Sequence, residues 1–330
     1  MVRKKFDAKL IFRFIILLGF LVFIGMQIKN PTSLTDIYDR LKNMNYGFLF
    51  ISALVFFVSI LFSVKQWQML LKIQKIFIPY RKLFQFYFIG LFFNNFLPSN
   101  WGGDAVRLYD TSMYTSQWEK VTSSIVVDRL IGFFALFFIG FLTLFIFYFH
   151  KVSWQILLIF LMLLIMPIVV FLIFDLKIIT NWIQKTIQEN RKSRFRKFVM
   201  KFLLSIRQYQ KEKSMVSVFF VSLITQFFRI AMNIFVAFSL KFYLPLQSFF
   251  IIVPIIGFAS AIPISIAGIG QRETAGKWSV HAFLPNQSAT FTNSIVIFFT
   301  MGYLVIVAVS LLGGILFLMQ KIKKGKINEI

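Results

Sequence analysis

The chain has no cysteine, so disulfide staples, thiolate nucleophiles and cysteine-ligated metals are excluded. Histidine is nearly absent: His150 and His281 both fall near predicted helix ends, and two residues cannot furnish a multi-histidine metal site. Acids are scarce as well, 12 Asp and Glu against 36 Lys and Arg. No nucleophile–histidine–acid set is present. Enzyme activity would have to rest on three scattered carboxylates, Asp104, Asp128 and Glu273, which makes an enzyme the weaker expectation. No cofactor is expected either. Residues 271–277 approach a nucleotide-binding loop only in Gly276-Lys277, because Gln271 stands where the first glycine is required and Trp278 follows the lysine.

What the chain does have is apolar surface. Hydrophobic residues make up 58% of it, 46 positions are Phe, and the mean hydropathy is +0.77. A soluble domain is nearer half apolar, and several runs of 18 or more mostly apolar residues read as membrane-spanning helices. The formal net charge of +24 would suit nucleic acid if it were clustered on a soluble surface. Here it sits in short loops beside apolar runs, the positive-inside arrangement of a membrane protein. Nucleic acid is therefore not expected as a partner, and anionic lipid head groups are the better match for the charge.

Taken in order, Arg3, Lys4 and Lys5 precede an apolar run at 10–28. No small-residue cleavage site follows Gly25-Met26-Gln27, so a retained first span with a cytoplasmic N-terminus is expected. A second span covers about 46–64. The next connection carries Lys65, Lys72, Lys75, Arg81 and Lys82 without an acid and belongs inside. The run 83–97 is short for a span. If it crossed fully, residues 177–213, with eleven Lys/Arg and two acids, would lie outside. A segment that enters from the cytoplasm and returns avoids that inversion. Ser116-x-x-Glu119 predicts a capping box for the helix that follows, which carries Asp128 and Arg129 and runs to about 149. Further spans are expected at 156–174, 216–240 and 292–318, the last ending in Lys321, Lys323, Lys324 and Lys326 on the cytoplasmic side. Within 177–213, Phe195, Phe198, Val199, Phe202 and Ile206 repeat at helical spacing among basic residues. That pattern predicts an amphipathic helix on the inner membrane surface. The expected architecture is a single all-α polytopic domain over residues 1–330, with about six spans and two opposed re-entrant segments. Eight full spans is the alternative count.

Two polar, broken stretches interrupt the apolar pattern. The first is Asn94-Asn95-Phe96-Leu97-Pro98-Ser99-Asn100-Trp101-Gly102-Gly103-Asp104-Ala105-Val106-Arg107, and the second is Ala261-Ile262-Pro263-Ile264-Ser265-Ile266-Ala267-Gly268-Ile269-Gly270-Gln271-Arg272-Glu273. Gly lies five residues beyond the proline in both, at Gly103 and Gly268, and Arg lies nine beyond, at Arg107 and Arg272. Irregular backbone survives at membrane depth only when buried in protein or lining a wet cavity, and paired Gly/Pro breaks of this kind point to a transporter's binding site. An arginine at the bilayer centre costs roughly 2.5–3.5 kcal/mol and needs a task or a partner. Arg107 and Arg272 either cradle a phosphate together with nearby backbone N–H groups or pair with Asp104 and Glu273 to hold the fold. Asp128 is available as a counter-ion to either arginine, and Arg129 is either a second phosphate contact or a snorkelling residue. Gln226, Arg229 and Asn233 share one helix face, turned toward a cavity or toward a neighbouring helix. Asn95 and Ser99 either meet a head-group hydroxyl or satisfy broken backbone. Gly102, Gly103, Gly268 and Gly270 are candidates for close backbone approach. No metal site is expected.

The pattern Asn95-x-Leu97-Pro98-Ser99…Gly102-Gly103-Asp104…Arg107, the pair Asp128-Arg129 ahead of Gly132, and Pro263…Ala267-Gly268-x-Gly270-x-Arg272-Glu273 resemble the flippase-like membrane family that includes the transmembrane region of lysylphosphatidylglycerol synthase. The resemblance covers nearly the whole chain, and the synthase's soluble aminoacyl-transfer domain finds no counterpart here. It implies the handling of a lipid with an anionic head group in the cytoplasmic membrane. Such a protein would translocate the lipid, or else serve as a membrane subunit or enzyme of lipid modification, with a lipid-modifying enzyme as a conceivable partner.

Overall fold

The computed structural model describes residues 42–95, 102–148, 154–173, 194–262, 271–283 and 289–327. Among them every regular element is helical: α1 (Tyr46–Ile73), α2 (Tyr80–Asn94), α3 (Gly102–Thr115), α4 (Trp118–Thr143), α5 (Trp154–Ile173), α6 (Arg194–Gln210), α7 (Met215–Ser239), α8 (Leu246–Ala261), α9 (Gln271–Phe283) and α10 (Ala289–Ile327). A π-helical turn at Leu144–Tyr148 extends α4. Among the described residues, four stretches are long and apolar enough to cross a bilayer: Tyr46–Ile73, Trp118–Tyr148, Met215–Ser239 and Ile297–Gln320. Leu157–Ile173 and Leu246–Ala261 are shorter apolar helices. The chain is an all-α polytopic membrane protein. The expected span at 10–28 lies outside the described residues, as do Ser99, Gly268, Gly270 and the prolines of both broken stretches.

Two differences from the expectation bear on the packing around the site. The helix expected to end near residue 64 runs on to Ile73. Its extra turns carry Gln66, Trp67, Leu70 and Leu71, all buried, so packing holds the helix together where the apolar pattern stops. The capping box at Ser116 does not form. Ser116 sits at φ 56° and its N–H returns to Ser112 O at 2.7 Å, so it terminates α3 in the left-handed conformation instead of starting α4. Gln117 takes the N-cap position without a side-chain bond, and Glu119 pairs with Lys201 of α6 at 3.3 Å.

The pairs α2/α3 and α8/α9 form two helical hairpins. At 13 to 16 residues and 1.5 Å per residue, each arm is about 20–24 Å long, short of the roughly 30 Å hydrocarbon core. They enter the bundle from opposite ends. The open end of α2/α3, where Phe86 meets Tyr114 at 6.0 Å, lies beside the start of α4. The open end of α8/α9 lies beside the end of α4, where Tyr148 bonds Ser248 at 3.1 Å and meets Phe283 at 6.4 Å. Helix α10 packs along α2, α9, α1 and α7 and touches both hairpins. Its C-terminal half lies against the open end of α2/α3, with Gln85 donating to Gln320 at 3.4 Å.

The basic helix α6 caps the first of these ends. Ile206 and Tyr209 are fully buried against Leu70, Val127 and Val218, and Gln74 donates to Ser205 O at 2.7 Å. Leu203, Ile206 and Tyr209 are thus turned into the bundle. Leu204, 48% exposed, remains available to lipid.

Candidate functional site

Helix α3 begins at the turn of its hairpin with Gly102, Gly103 and Asp104. Asn94 Oδ1 accepts from Gly103 N–H at 3.1 Å, supplying from α2 the partner that a helix N-terminus lacks. Gly90 of α2 and Gly103 face each other so closely that a Cβ on Gly90 would fall 2.6 Å from Gly103 O, and one on Gly103 would strike Gly90 O. Both arms therefore need glycine at this crossing.

One helical turn beyond Asp104, Arg107 points into the bundle and is almost fully buried. Its Nη2 lies 3.4 Å from Asp104 Oδ1 and 3.2 Å from Asp128 Oδ2. Arg129 closes the set, placing Nη2 at 2.6 Å and Nε at 2.7 Å from Asp104 Oδ2. Two acids and two arginines thus alternate in a neutral tetrad that ties α3 to α4. Asp128 also accepts from Gln66 Nε2 of α1 at 2.8 Å. Trp67 and Tyr87 cover the Arg107 guanidinium at 4.4 and 5.0 Å, and Trp67 Nε1 is anchored by donating to Ser124 Oγ at 3.0 Å. Adjacent Asp128 and Arg129 do not pair with each other; each reaches a different partner in the tetrad.

The second hairpin presents Arg272 in the first turn of α9. Its guanidinium lies over the Tyr303 ring at 4.8 Å, and no carboxylate comes within ion-pair distance of it among the described residues. Tyr303, on α10, also donates to Asn95 Oδ1 at the tip of the first hairpin, at 3.4 Å, while Asn95 Nδ2 donates to Ser310 Oγ at 2.6 Å. One tyrosine therefore touches both hairpin tips. Glu273 is buried beside Arg272 in sequence and takes part in a further interaction of its own.

Around these tips lies a cavity of about 310 Å³. Arg107, Asp128, Arg129, Arg229, Arg272 and Tyr303 line it, together with apolar side chains such as Phe56 and Phe133. Arg229 reaches it from α7, donating to Ser63 Oγ of α1 at 3.2 Å, again with no carboxylate in ion-pair range among the described residues. Gln226 and Asn233 line the same wall. The face 226–229–233 read from the sequence is thus a cavity wall that also bonds its neighbours. Gly102 and Gly103 shape the tip, and Asp104 lies behind Arg129 rather than among the lining residues.

Sequence reasoning missed Tyr303, Gln66, Trp67 and Tyr87. A signal existed for α1: Ser52, Ser59, Ser63 and Gln66 fall on one face of an otherwise apolar helix, and all four are buried. Nothing in the order of residues marked Tyr303.

Opposed short hairpins meeting at a charged cavity inside a helical bundle define a class, the polytopic membrane proteins with a central polar site. Within that class the chain belongs to the family described as the lysylphosphatidylglycerol synthase TM region, whose profile matches residues 10–310. No curated protein and no solved structure matches the chain.

Proposed function

We propose that this protein translocates a lipid with an anionic, phosphate-bearing head group across the cytoplasmic membrane. The observation that carries this reading is the meeting of the two hairpin tips at one arginine-lined cavity through Tyr303. A lipid phosphate cannot cross hydrocarbon unaided, because a desolvated charge is costly without a partner. Arg272 and Arg229, which lack carboxylate partners among the described residues, provide that partner. The head group passes between the tips while the acyl or prenyl tails stay in the bilayer. Arg107 and Arg129 are matched by Asp104 and Asp128, and their part is to hold the first tip in place and to set the field around the cavity. Asn95 fixes the same tip against Tyr303 and Ser310.

Orientation follows from charge. The end of the bundle capped by α6 carries Lys72, Lys75, Arg81, Lys82, Lys197, Lys201, Lys211 and Lys213, and it is assigned to the cytoplasm. The C-terminus then lies inside, as does the N-terminus if residues 10–28 span once. Anionic membrane lipids are the partners this arrangement favours, and nucleic acid is not among them.

The family's name supports a second reading, in which the domain serves a lipid-modifying enzyme. Proteoliposomes separate the two. The purified protein alone should accelerate transfer of a fluorescent phosphatidylglycerol between leaflets, and Arg272→Ala should cut the rate at least tenfold while leaving the detergent melting temperature close to wild type. Wild-type vesicles no faster than empty ones would defeat the transport reading and leave the second.

A further inference from the structure

The wall of the cavity on α7 has a chemical polarity that the arginines alone do not explain. Gln226 Nε2 donates to Gly132 O of α4 at 3.1 Å, and Asn233 Nδ2 donates to Arg229 O at 2.9 Å. Both acceptors are main-chain carbonyls, which have no hydrogen to give, so each amide must turn its nitrogen toward the helix and its oxygen away. Gln226 Oε1 and Asn233 Oδ1 carry no hydrogen bond among the described residues, although both side chains line the cavity and Gln226 is only 4% exposed. Asn233 Oδ1 faces α10 beside Gly302, where an added Cβ would sit 3.5 Å away. Between these two acceptors in sequence, and on the same helix face, stands Arg229.

A cation flanked by two unfilled acceptors suits an anion whose substituent donates hydrogen bonds. The donors can be hydroxyls or an ammonium, and the rest of the lining decides between them. Among the described residues, four arginines face the cavity against one carboxylate, Asp128, which is already held by Arg107 and Gln66. An ammonium group would enter a positive cavity with no open counter-ion, whereas a neutral hydroxyl incurs no such repulsion. On the transport reading above, we propose that Gln226 and Asn233 form a head-group selectivity site. That site takes a polyol joined to the phosphate, as in a glycerol- or sugar-phosphate lipid, and discriminates against an ethanolamine head group.

The test uses phosphatidylcholine vesicles containing the reconstituted protein and one of three fluorescent probes that share acyl chains: phosphatidylglycerol, phosphatidylethanol and phosphatidylethanolamine. The first two have the same charge and differ in hydroxyls; the third carries the ammonium. A site built to bond a hydroxyl rejects an analogue lacking it because its own buried groups are left unpaired. Wild-type protein should therefore move phosphatidylglycerol roughly tenfold faster than phosphatidylethanol, two neutral hydrogen bonds at about a factor of a few each, and phosphatidylethanolamine more slowly still. Gln226→Met with Asn233→Leu should bring the glycerol-to-ethanol ratio near one, and each single change should bring it part of the way, so the ratio remains readable if the double variant folds poorly. Free glycerol phosphate trapped in the vesicles should stay there, which ties the site to lipid rather than solute. A wild-type ratio near one, a ratio unmoved by every variant, or faster phosphatidylethanolamine than phosphatidylglycerol would each overturn the selectivity site while leaving transport standing. Absence of transfer for all three probes would remove transport itself, and the site with it.

Discussion

At the scale of single residues, the four arginines of the cavity differ in what already holds them. Arg107 has two carboxylates and two aromatic faces; Arg129 has Asp104; Arg272 has a tyrosine ring; Arg229 has a serine hydroxyl. Removing one member of a buried ion pair leaves an uncompensated charge and costs about 3–5 kcal/mol. Arg107→Ala strands Asp128 and should lower the melting temperature in detergent by several degrees. Removing Asp128 as well leaves Asp104 with Arg129, a balanced couple, so Arg107→Ala with Asp128→Ala should recover half or more of the lost melting temperature and part of the flux. Recovery of stability with no recovery of flux would instead place Arg107 on the lipid. Arg272→Ala strands no carboxylate within ion-pair range among the described residues, and its loss should fall on flux rather than on melting.

The residues differ equally in how well the sequence announced them. Arg107, Asp104, Asp128, Arg129, Arg229 and Arg272 stood out because a charge in an apolar run is costly, and all but Asp104 line the cavity. Their pairing did not follow from the sequence. Asp128 was open to either Arg107 or Arg272, and only the approach of α3 to α4 selects the first. Tyr303 was silent because a tyrosine in a long apolar helix usually anchors at an interface or fills a core. Its role comes from standing where two distant hairpin tips arrive.

At the scale of the element, what matters is that the hairpin arms pack backbone to backbone. The breaks in apolar pattern were readable, since Pro, paired Gly and Asn do not continue a lipid-facing helix. The need for Gly90 was not: it lies inside a regular apolar helix, and only the facing Gly103 shows why a side chain is excluded. Helix α10 repeats the device, for a Cβ on Gly313 would strike Phe88 O of α2. Gly103→Ala should therefore destabilise the fold by about 1–3 kcal/mol, the usual cost of overpacking. Gly132→Ala, whose added carbon would meet only the end of Gln226 at 3.5 Å, should stay within about 0.5 kcal/mol of wild type. Melting of the two purified variants side by side checks this, and equal melting would mean that the hairpin yields at its crossing. The mistaken cap at Ser116 is an error at the same scale. A Ser-x-x-Glu match starts a helix only if the serine is not already closing the one before, and the two-residue connection between α3 and α4 left room for one role.

At the scale of the whole molecule, the two ends of the bundle carry different charge, and the orientation proposed above rests on that difference. Lys197 and Lys213 lie at the end where α1 finishes and α4 and α7 begin; Tyr243 lies at the other, where α7 finishes and α8 begins. The natural chain has no cysteine, so single cysteines can be added without removing any. Lys213 is exposed and Tyr243 is 76% exposed, so a cysteine at either position should react with a membrane-impermeant maleimide once that face is reached. In intact cells Tyr243→Cys should label fully and Lys213→Cys hardly at all, and opening the cells should bring Lys213→Cys to the same level. Trp278→Cys on the second arm of the α8/α9 hairpin distinguishes entry from crossing. Both ends of that hairpin lie at the Tyr148 end of α4. If α9 turns back at Arg272, as its contact with Tyr303 requires, an exposed residue two turns further on belongs to the outer half of the membrane protein and is shielded from a reagent confined to the cytoplasm. Labelling of Lys213→Cys from outside would reverse the assignment of both ends, and with it the direction from which each hairpin admits a head group.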